Sequence, residues 1–295
     1  MDGTKQTKAL KITACILLLA ALGLGVFRIF LLAEYVDADN GLYSNRLLGT
    51  VFNSVLWGLL AVNIATFFFT KKAAFDRPIR NEALSVAFAA SVCALMMAAV
   101  FFVNIVDMAT GKRTFSLFLG AETVLCVPSI LYFFTVCSKG AKQEKDSASA
   151  YSLLPLFPAL YTAIRTIALF INTETQINAS ERSFSLLAMV FIMMFFVTEA
   201  EFSVSLSPSD DDNDKEKNKE TVDPAAEAAR LAKAKASLTA KYLVYALVVV
   251  TLTVAILLPS AFASAFLTYN RAGILYRMMD LCIGLYALMR LFTAR

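Results

Sequence analysis

The sequence predicts an all-α fold: a polytopic transmembrane helix bundle of about eight spans. Three observations carry this. The 295-residue chain is 58% hydrophobic and 17% charged, with a mean hydropathy of +0.65; soluble domains run near 45–50% apolar and about 25% charged. The apolar residues gather into eight runs, each close to the roughly 20 residues that cross about 30 Å of hydrocarbon. The basic residues concentrate in alternate loops, as membrane orientation requires. The runs are unbroken and rich in Leu, Ala and Phe, so helices rather than the alternating strands of a closed barrel satisfy the backbone in lipid.

The first run, 12–32, follows a basic stretch of Lys5, Lys8 and Lys11. Ile12-Thr13-Ala14-Cys15 has the form of a lipoprotein cleavage box, but it precedes the apolar core and the run continues past Arg28, so an uncleaved helix is expected. The second run is 50–70. The third, 83–106, carries two rows of small residues at four-residue spacing, Ala83, Ala87, Ser91 and Ala90, Ala94, Ala98. Such rows let helices approach closely in lipid, which predicts a central position for this helix. Gly23, Gly25 and Gly284 predict similar close contacts. The fourth run, 115–136, holds Glu122, and the fifth, 151–172, holds Arg165. The sixth, 183–202, ends near Glu199 and Glu201, which are two apart and point to different faces. The seventh is 242–267. The eighth, 272–292, is the least secure, because it carries Arg277 and Asp280. The Met96-Met97 and Met193-Met194-Phe195-Phe196 clusters read as packing or lipid contact.

The organisation is therefore spans one to six in 1–202, an insert at 203–241, and spans seven and eight in 242–295. The stretch from Ser209 to Glu220 has no apolar residue and is expected to be disordered. It lacks the Gly and terminal Glu of a calcium loop. Asp223-Pro224 then reads as a helix start, followed by an Ala-rich helix over 225–241 with Arg230, Lys233, Lys235 and Lys241. Those charges suit contact with anionic lipid headgroups; ordinary basic flanking of the seventh span explains them as well.

Nineteen of the 27 Lys and Arg residues lie in the N-terminus, 71–82, 137–150, 203–241 and the C-terminus, counting Arg290 at the end of the last run with the C-terminus; five lie in the other loops and three more (Arg28, Arg165, Arg277) within runs. This places both termini in the cytoplasm. Histidine is absent, which removes His-based hydrolytic triads and His-ligated zinc or haem. Cys15, Cys93, Cys126, Cys137 and Cys282 form no CxxC pair. No enzyme activity, metal, cofactor or nucleic-acid partner is expected.

Ionisable residues within spans are costly and point to function. Arg28, Asp107, Glu122, Arg165, Arg277 and Asp280 all fall in the outer half. Pro158, Tyr161, Thr162, Arg165 and Asn172 lie near one helical face. Glu122 sits at the depth of Arg165 and is its expected partner. Arg277 and Asp280 can pair along their own helix, and Asn53 and Asn104 lie at comparable depth. Two readings stand for Arg165 with Glu122. One is an outward-facing polar cavity built on Arg165, Glu122, Asp280 and Tyr161 that binds a small polar or anionic ligand. The other is a structural pair that fixes helix register. Arg28, Arg277 and Asp107 read as snorkelling to the interface. Glu199 and Glu201 are secondary candidates for a proton-coupling carboxylate.

Arg28 and Arg165 each precede an acidic polar loop, and each half ends in a span with an acid, Glu122 or Asp280. This suggests two parallel four-helix repeats, as in some transporters. The segments Arg28…Glu34-Tyr-Val-Asp37-Ala-Asp-Asn-Gly41-Leu-Tyr43 and Pro158…Arg165…Phe170-Ile-Asn-Thr…Ile177-Asn-Ala-Ser-Glu181 resemble an uncharacterised family of multi-spanning membrane proteins from Gram-positive gut bacteria (Clostridia, Firmicutes). The resemblance implies a bacterial plasma membrane, where Asn178-Ala-Ser180 is not glycosylated. It implies no chemistry. Function is therefore expected to be small-solute binding or transport. The alternative is a non-transporting sensor or assembly factor, working through the outer loops 33–49 and 173–182 and the cytoplasmic insert.

Overall fold

The computed structural model describes residues 3–35, 44–70, 83–112, 115–143, 153–171, 179–205, 224–266 and 273–294. Among them every regular element is helical. They are α1 (Gly3–Glu34), α2 (Arg46–Thr70), α3 (Leu84–Ala109), α4 (Leu117–Lys142), α5 (Leu156–Ile171), α6 (Ala179–Ser205), α7 (Pro224–Leu252), a π segment (Thr253–Leu257), α8 (Leu258–Phe266) and α9 (Ile274–Thr293). Helices α7 and α8 are joined through the π segment into one rod. Each expected run thus falls on a helix. Among the described residues six helices are long and apolar enough to cross a membrane: α1, α2, α3, α4, α6 and the α7–α8 rod. Helix α5 has 16 residues, and α9 carries Arg277, Asp280 and Arg290.

The rod begins at Pro224, as the Asp223-Pro224 signal predicts. Its π segment has a local cause. Pro259 has no N–H, and in a regular helix its ring would clash with the carbonyl of Ala255. Widening the turn accommodates this, and the Leu258 N–H bonds back to the Thr253 carbonyl. Two helices cross here on glycine. A Cβ on Gly25 of α1 would lie 2.6 Å from the Val254 carbonyl oxygen, and one on Gly284 of α9 would run into the Thr253 side chain. The third expected close contact is absent: nothing lies within 4 Å of a Cβ on Gly23.

The central helix is the rod, not α3. Its apolar window is 83% buried against 39% for α3. The rod buries Val248, Val249, Val250 and Leu252 on several sides, whereas α3 exposes Phe88, Leu95, Phe102 and Val106. The small-residue face of α3 does pack closely, with Ala87 and Ala90 buried, but against α4 and α9 at the side of the bundle.

Arg28 does not snorkel. It is fully buried, with its guanidinium 5.1 Å from the Phe52 ring centroid and 5.4 Å from that of Phe184. The two rings, one from α2 and one from α6, are themselves 6.0 Å apart and edge-on to each other, so together they form an aromatic corner that replaces water around the cation. Arg165, its expected counterpart in a repeat, sits in unlike surroundings, described next. The outer loop 36–43 and the insert 209–220 lie outside the described residues.

Candidate functional site

Two polar layers cross the bundle, and α9 contributes to both. They are set by parallel running of α4 and α9: Glu122 shares a level with Met279 through Tyr161, and Tyr132 meets Tyr286 further along. On α9 the layers are centred on Asp280 and Arg290, ten residues apart, or about 15 Å along the axis.

The layer around Asp280, called outer (and that around Arg290 inner) after the orientation the basic loops predict, brings together all four expected site residues, Arg165, Glu122, Asp280 and Tyr161. The pairing differs from expectation. Arg165 forms a bidentate bridge to Asp280, Nη1 to Oδ1 at 2.5 Å and Nη2 to Oδ2 at 3.0 Å. Glu122 instead accepts from the Tyr161 hydroxyl at 3.3 Å. Tyr161 and Arg165 are one helical turn apart on the same face of α5, and α4 presents Glu122 at the Tyr161 level while the longer guanidinium reaches α9. Arg277 donates to the Ser260 carbonyl at 2.9 Å. All four site residues are buried, so the layer is closed on itself here.

Two further residues complete it. The Arg165 guanidinium lies 4.9 Å from the Tyr276 ring centroid, and the Tyr276 hydroxyl donates to Asn104 Oδ1 at 2.7 Å. Asn104 Nδ2 is buried and has no hydrogen-bond partner. The expectation that Asn104 shares this depth holds. Asn53 is on α2, which packs on α1 and α7. Bidentate Arg–carboxylate geometry is the arrangement that a carboxylate or phosphate can also adopt with Arg. The chemistry this geometry permits is exchange, since another carboxylate or a phosphate can make the same two bonds to Arg165 that Asp280 makes.

The inner layer was not assembled from the sequence. Arg290, counted there among the flanking charges of the C-terminus, is 1% exposed and lies within α9. Its Nη2 bridges Glu199 Oε1 of α6 at 2.6 Å. The Tyr286 hydroxyl accepts from Arg290 Nε at 2.9 Å and Nη2 at 2.6 Å, and donates to Glu199 Oε1 at 2.9 Å. Tyr132 of α4 shares a 2.7 Å hydrogen bond with Tyr286. Phe195 and Phe196 pack against the Tyr286 ring, so the Met-Met-Phe-Phe cluster does pack, here as the wall of a polar site. Glu201 is exposed, on the opposite side of α6 from Glu199.

Among the described residues no group of three His, Cys, Asp or Glu side chains is placed to hold a metal ion. Compared with known proteins, the chain matches no family model, no curated protein and no solved structure.

Proposed function

We propose that the protein is an integral membrane protein that binds or transports a small polar solute bearing an anionic group, at the outer layer. The supporting observation is the bidentate Arg165–Asp280 bridge, which converges with Glu122, Tyr161, Tyr276 and Asn104 from four helices. A buried ion pair is weak support for stability, because an apolar pair of like volume does as well. A guanidinium fork whose partner carboxylate sits on a different helix is suited to exchange. The solute's anionic group takes Arg165, Asp280 is released, and α5 and α9 separate. The closed layer is then the solute-free state, and the outward-facing polar cavity is the state that opens from it.

The proposed setting is a bacterial cytoplasmic membrane crossed eight times, with both termini cytoplasmic. Here α5, apolar but short at 16 residues, and α9, which carries Arg277, Asp280 and Arg290, cross as the two remaining spans. Exposed Arg230, Lys233, Lys235 and Lys241 contact anionic headgroups on the cytoplasmic side. The sensor or assembly reading rests on the outer loops and the insert, which lie largely outside the described residues, and no described contact favours it.

The test is thermal unfolding of the purified protein in lipid nanodiscs with a panel of small monocarboxylates, dicarboxylates, amino acids and phosphate. A ligand that binds only the native state raises the midpoint as its concentration climbs past its dissociation constant. At least one anion should stabilise the wild type and fail to stabilise Arg165→Lys, which keeps the charge and loses the fork. The same anion should enter proteoliposomes made with wild type and not with Arg165→Ala. If wild type and Arg165→Lys respond alike to every compound, the site is structural.

A further inference from the structure

The buried charged side chains of the outer layer are two carboxylates, Asp280 and Glu122, and one guanidinium, Arg165. Asp280 occupies the whole Arg165 fork. Glu122 accepts from the Tyr161 hydroxyl at 3.3 Å, which is long for a bond between oxygens. That hydroxyl has a single proton and lies equally far, 3.3 Å, from Met279 Sδ. Asn104 adds an unmet donor. It is 0% exposed, its Oδ1 takes the Tyr276 hydroxyl, and its Nδ2 has no hydrogen-bond partner. Buried polar atoms are almost always paired, because leaving one bare forfeits its hydration without return. The ring of Tyr276 lies 4.9 Å from the Arg165 guanidinium, so the bare amide belongs to the same layer as the fork.

We propose that the solute of this layer is a small zwitterion of the amino-acid class, whose carboxylate takes the Arg165 fork and the Asn104 amide donor while its ammonium takes Glu122. The assignment rests on the exchange reading above. Charge balance supports it. A solute bearing only a carboxylate adds one negative charge to a buried layer that holds two acids to one guanidinium, and Asp280 gives up that guanidinium in the same step. Like charges repel strongly where water is excluded. An ammonium on the same solute cancels the added charge, so the layer keeps its net charge through the exchange. Released Asp280 has Arg277 three residues back along α9, the spacing of a pair on one helix face.

The spacing along α5 fits as well. Tyr161 and Arg165 are four residues apart, about 6 Å along the axis, and Glu122 stands at the Tyr161 end. Both ends of one short solute therefore fall within a single turn of α5. A carboxylate can accept more than the two bonds of the fork, which leaves lone pairs for Asn104 Nδ2.

The test compares matched compounds on the full chain in lipid nanodiscs, by thermal unfolding across a concentration series. The pairs are alanine with propionate, valine with isovalerate, γ-aminobutyrate with butyrate and glutamate with glutarate. Members of a pair share the carbon skeleton and the carboxylate and differ by the ammonium. At least one zwitterion should stabilise the wild type at a concentration about tenfold or more below that of its partner compound, the value of a charged hydrogen bond. Glu122→Gln keeps the side-chain shape and an acceptor for Tyr161, and should erase that ratio. Asn104→Ala should weaken both members together and preserve the ratio; unchanged binding overturns the Asn104 contact. Where Glu122→Gln does not fold, the wild-type ratio decides alone. Carboxylates that stabilise the wild type as well as their zwitterions, or a ratio that survives Glu122→Gln, overturn the zwitterion assignment and leave the exchange reading standing. If no compound of either kind shifts the wild type, the exchange reading itself fails and the assignment falls with it.

Discussion

The outer and inner layers are both buried Arg–carboxylate pairs that use α9, yet they differ in saturation. In the outer layer each Asp280 oxygen meets its own Arg165 nitrogen. The inner pair is joined through one oxygen of Glu199 and one nitrogen of Arg290, with Tyr286 inserted between them as acceptor and donor. A saturated fork can be opened only by something that replaces it whole, such as another anion. An unsaturated pair can take on a small group while its bonds stay in place. The same two residue types thus make two different pairs, and it is the saturated fork of the outer layer that suits the proposed solute exchange.

The strongest way to break this comparison is to remove one charge at a time. Asp280→Leu leaves Arg165 buried without its counter-ion, and Arg290→Met does the same to Glu199. Each should cost about 3–5 kcal/mol of unfolding free energy, read from detergent-denaturant titrations. The double variants should then separate the layers. Arg165→Met with Asp280→Leu removes the whole fork and should recover to within about 1–2 kcal/mol of wild type, since apolar replacement of a complete pair is often neutral. Arg290→Met with Glu199→Gln should recover less, because the Tyr286 hydroxyl keeps only Tyr132 as a partner of proven geometry. Equal recovery in both layers means that Tyr286 does not tie the inner pair together.

How much of this was legible in the sequence follows the same divide. Charges in the outer layer stand alone in apolar runs, and a lone Arg165 or Asp280 is conspicuous against Leu and Phe. Arg290 sits at the end of the last run, where a basic residue is what orientation in a membrane demands. Whether such an end is buried depends on how far neighbouring helices extend. Here α6 runs to Ser205 and the rod starts at Pro224, so both continue past Arg290 and enclose it. The burial of Arg28 is hidden in the sequence for a related reason: its shelter comes from Phe52 and Phe184, on two other helices. Which acid pairs with Arg165 depends on helix adjacency, and hydropathy carries no information about that. By contrast, the helical class and the eight runs were legible because each needs only local composition.

A smaller effect tests whether the layers are linked mechanically by the π segment, against which α9 packs between Asp280 and Arg290. Gly284→Ala places a Cβ against both branches of Thr253, so no rotamer of that side chain escapes it. Gly25→Ala meets backbone, which cannot rotate away. Each should cost about 1–3 kcal/mol as overpacking. Gly23→Ala, with open space around it, should instead stabilise by up to about 1 kcal/mol through helix propensity. If Gly284→Ala is as well tolerated as Gly23→Ala, α9 does not bear on the π segment and the two layers have no mechanical link through it.

The smallest effect separates the tyrosines of the inner layer. Tyr132 and Tyr242 both bury their rings in the same aromatic cluster, Tyr132 on Phe196 and Tyr242 stacked on Phe195. Only Tyr132 has a hydrogen bond there, at 2.7 Å to Tyr286; the Tyr242 hydroxyl has none. Removing each hydroxyl with Phe keeps the ring packing and isolates the polar term. Tyr132→Phe should lose about 0.5–1.5 kcal/mol, the net value of a protein hydrogen bond. Tyr242→Phe should be neutral or slightly stabilising, because it deletes a buried polar atom that nothing compensates. Calorimetric midpoints in one lipid will order the two. A loss in Tyr242→Phe as large as in Tyr132→Phe would show that the hydroxyl already has a partner in the membrane-embedded protein, and the inner layer would then be as saturated as the outer.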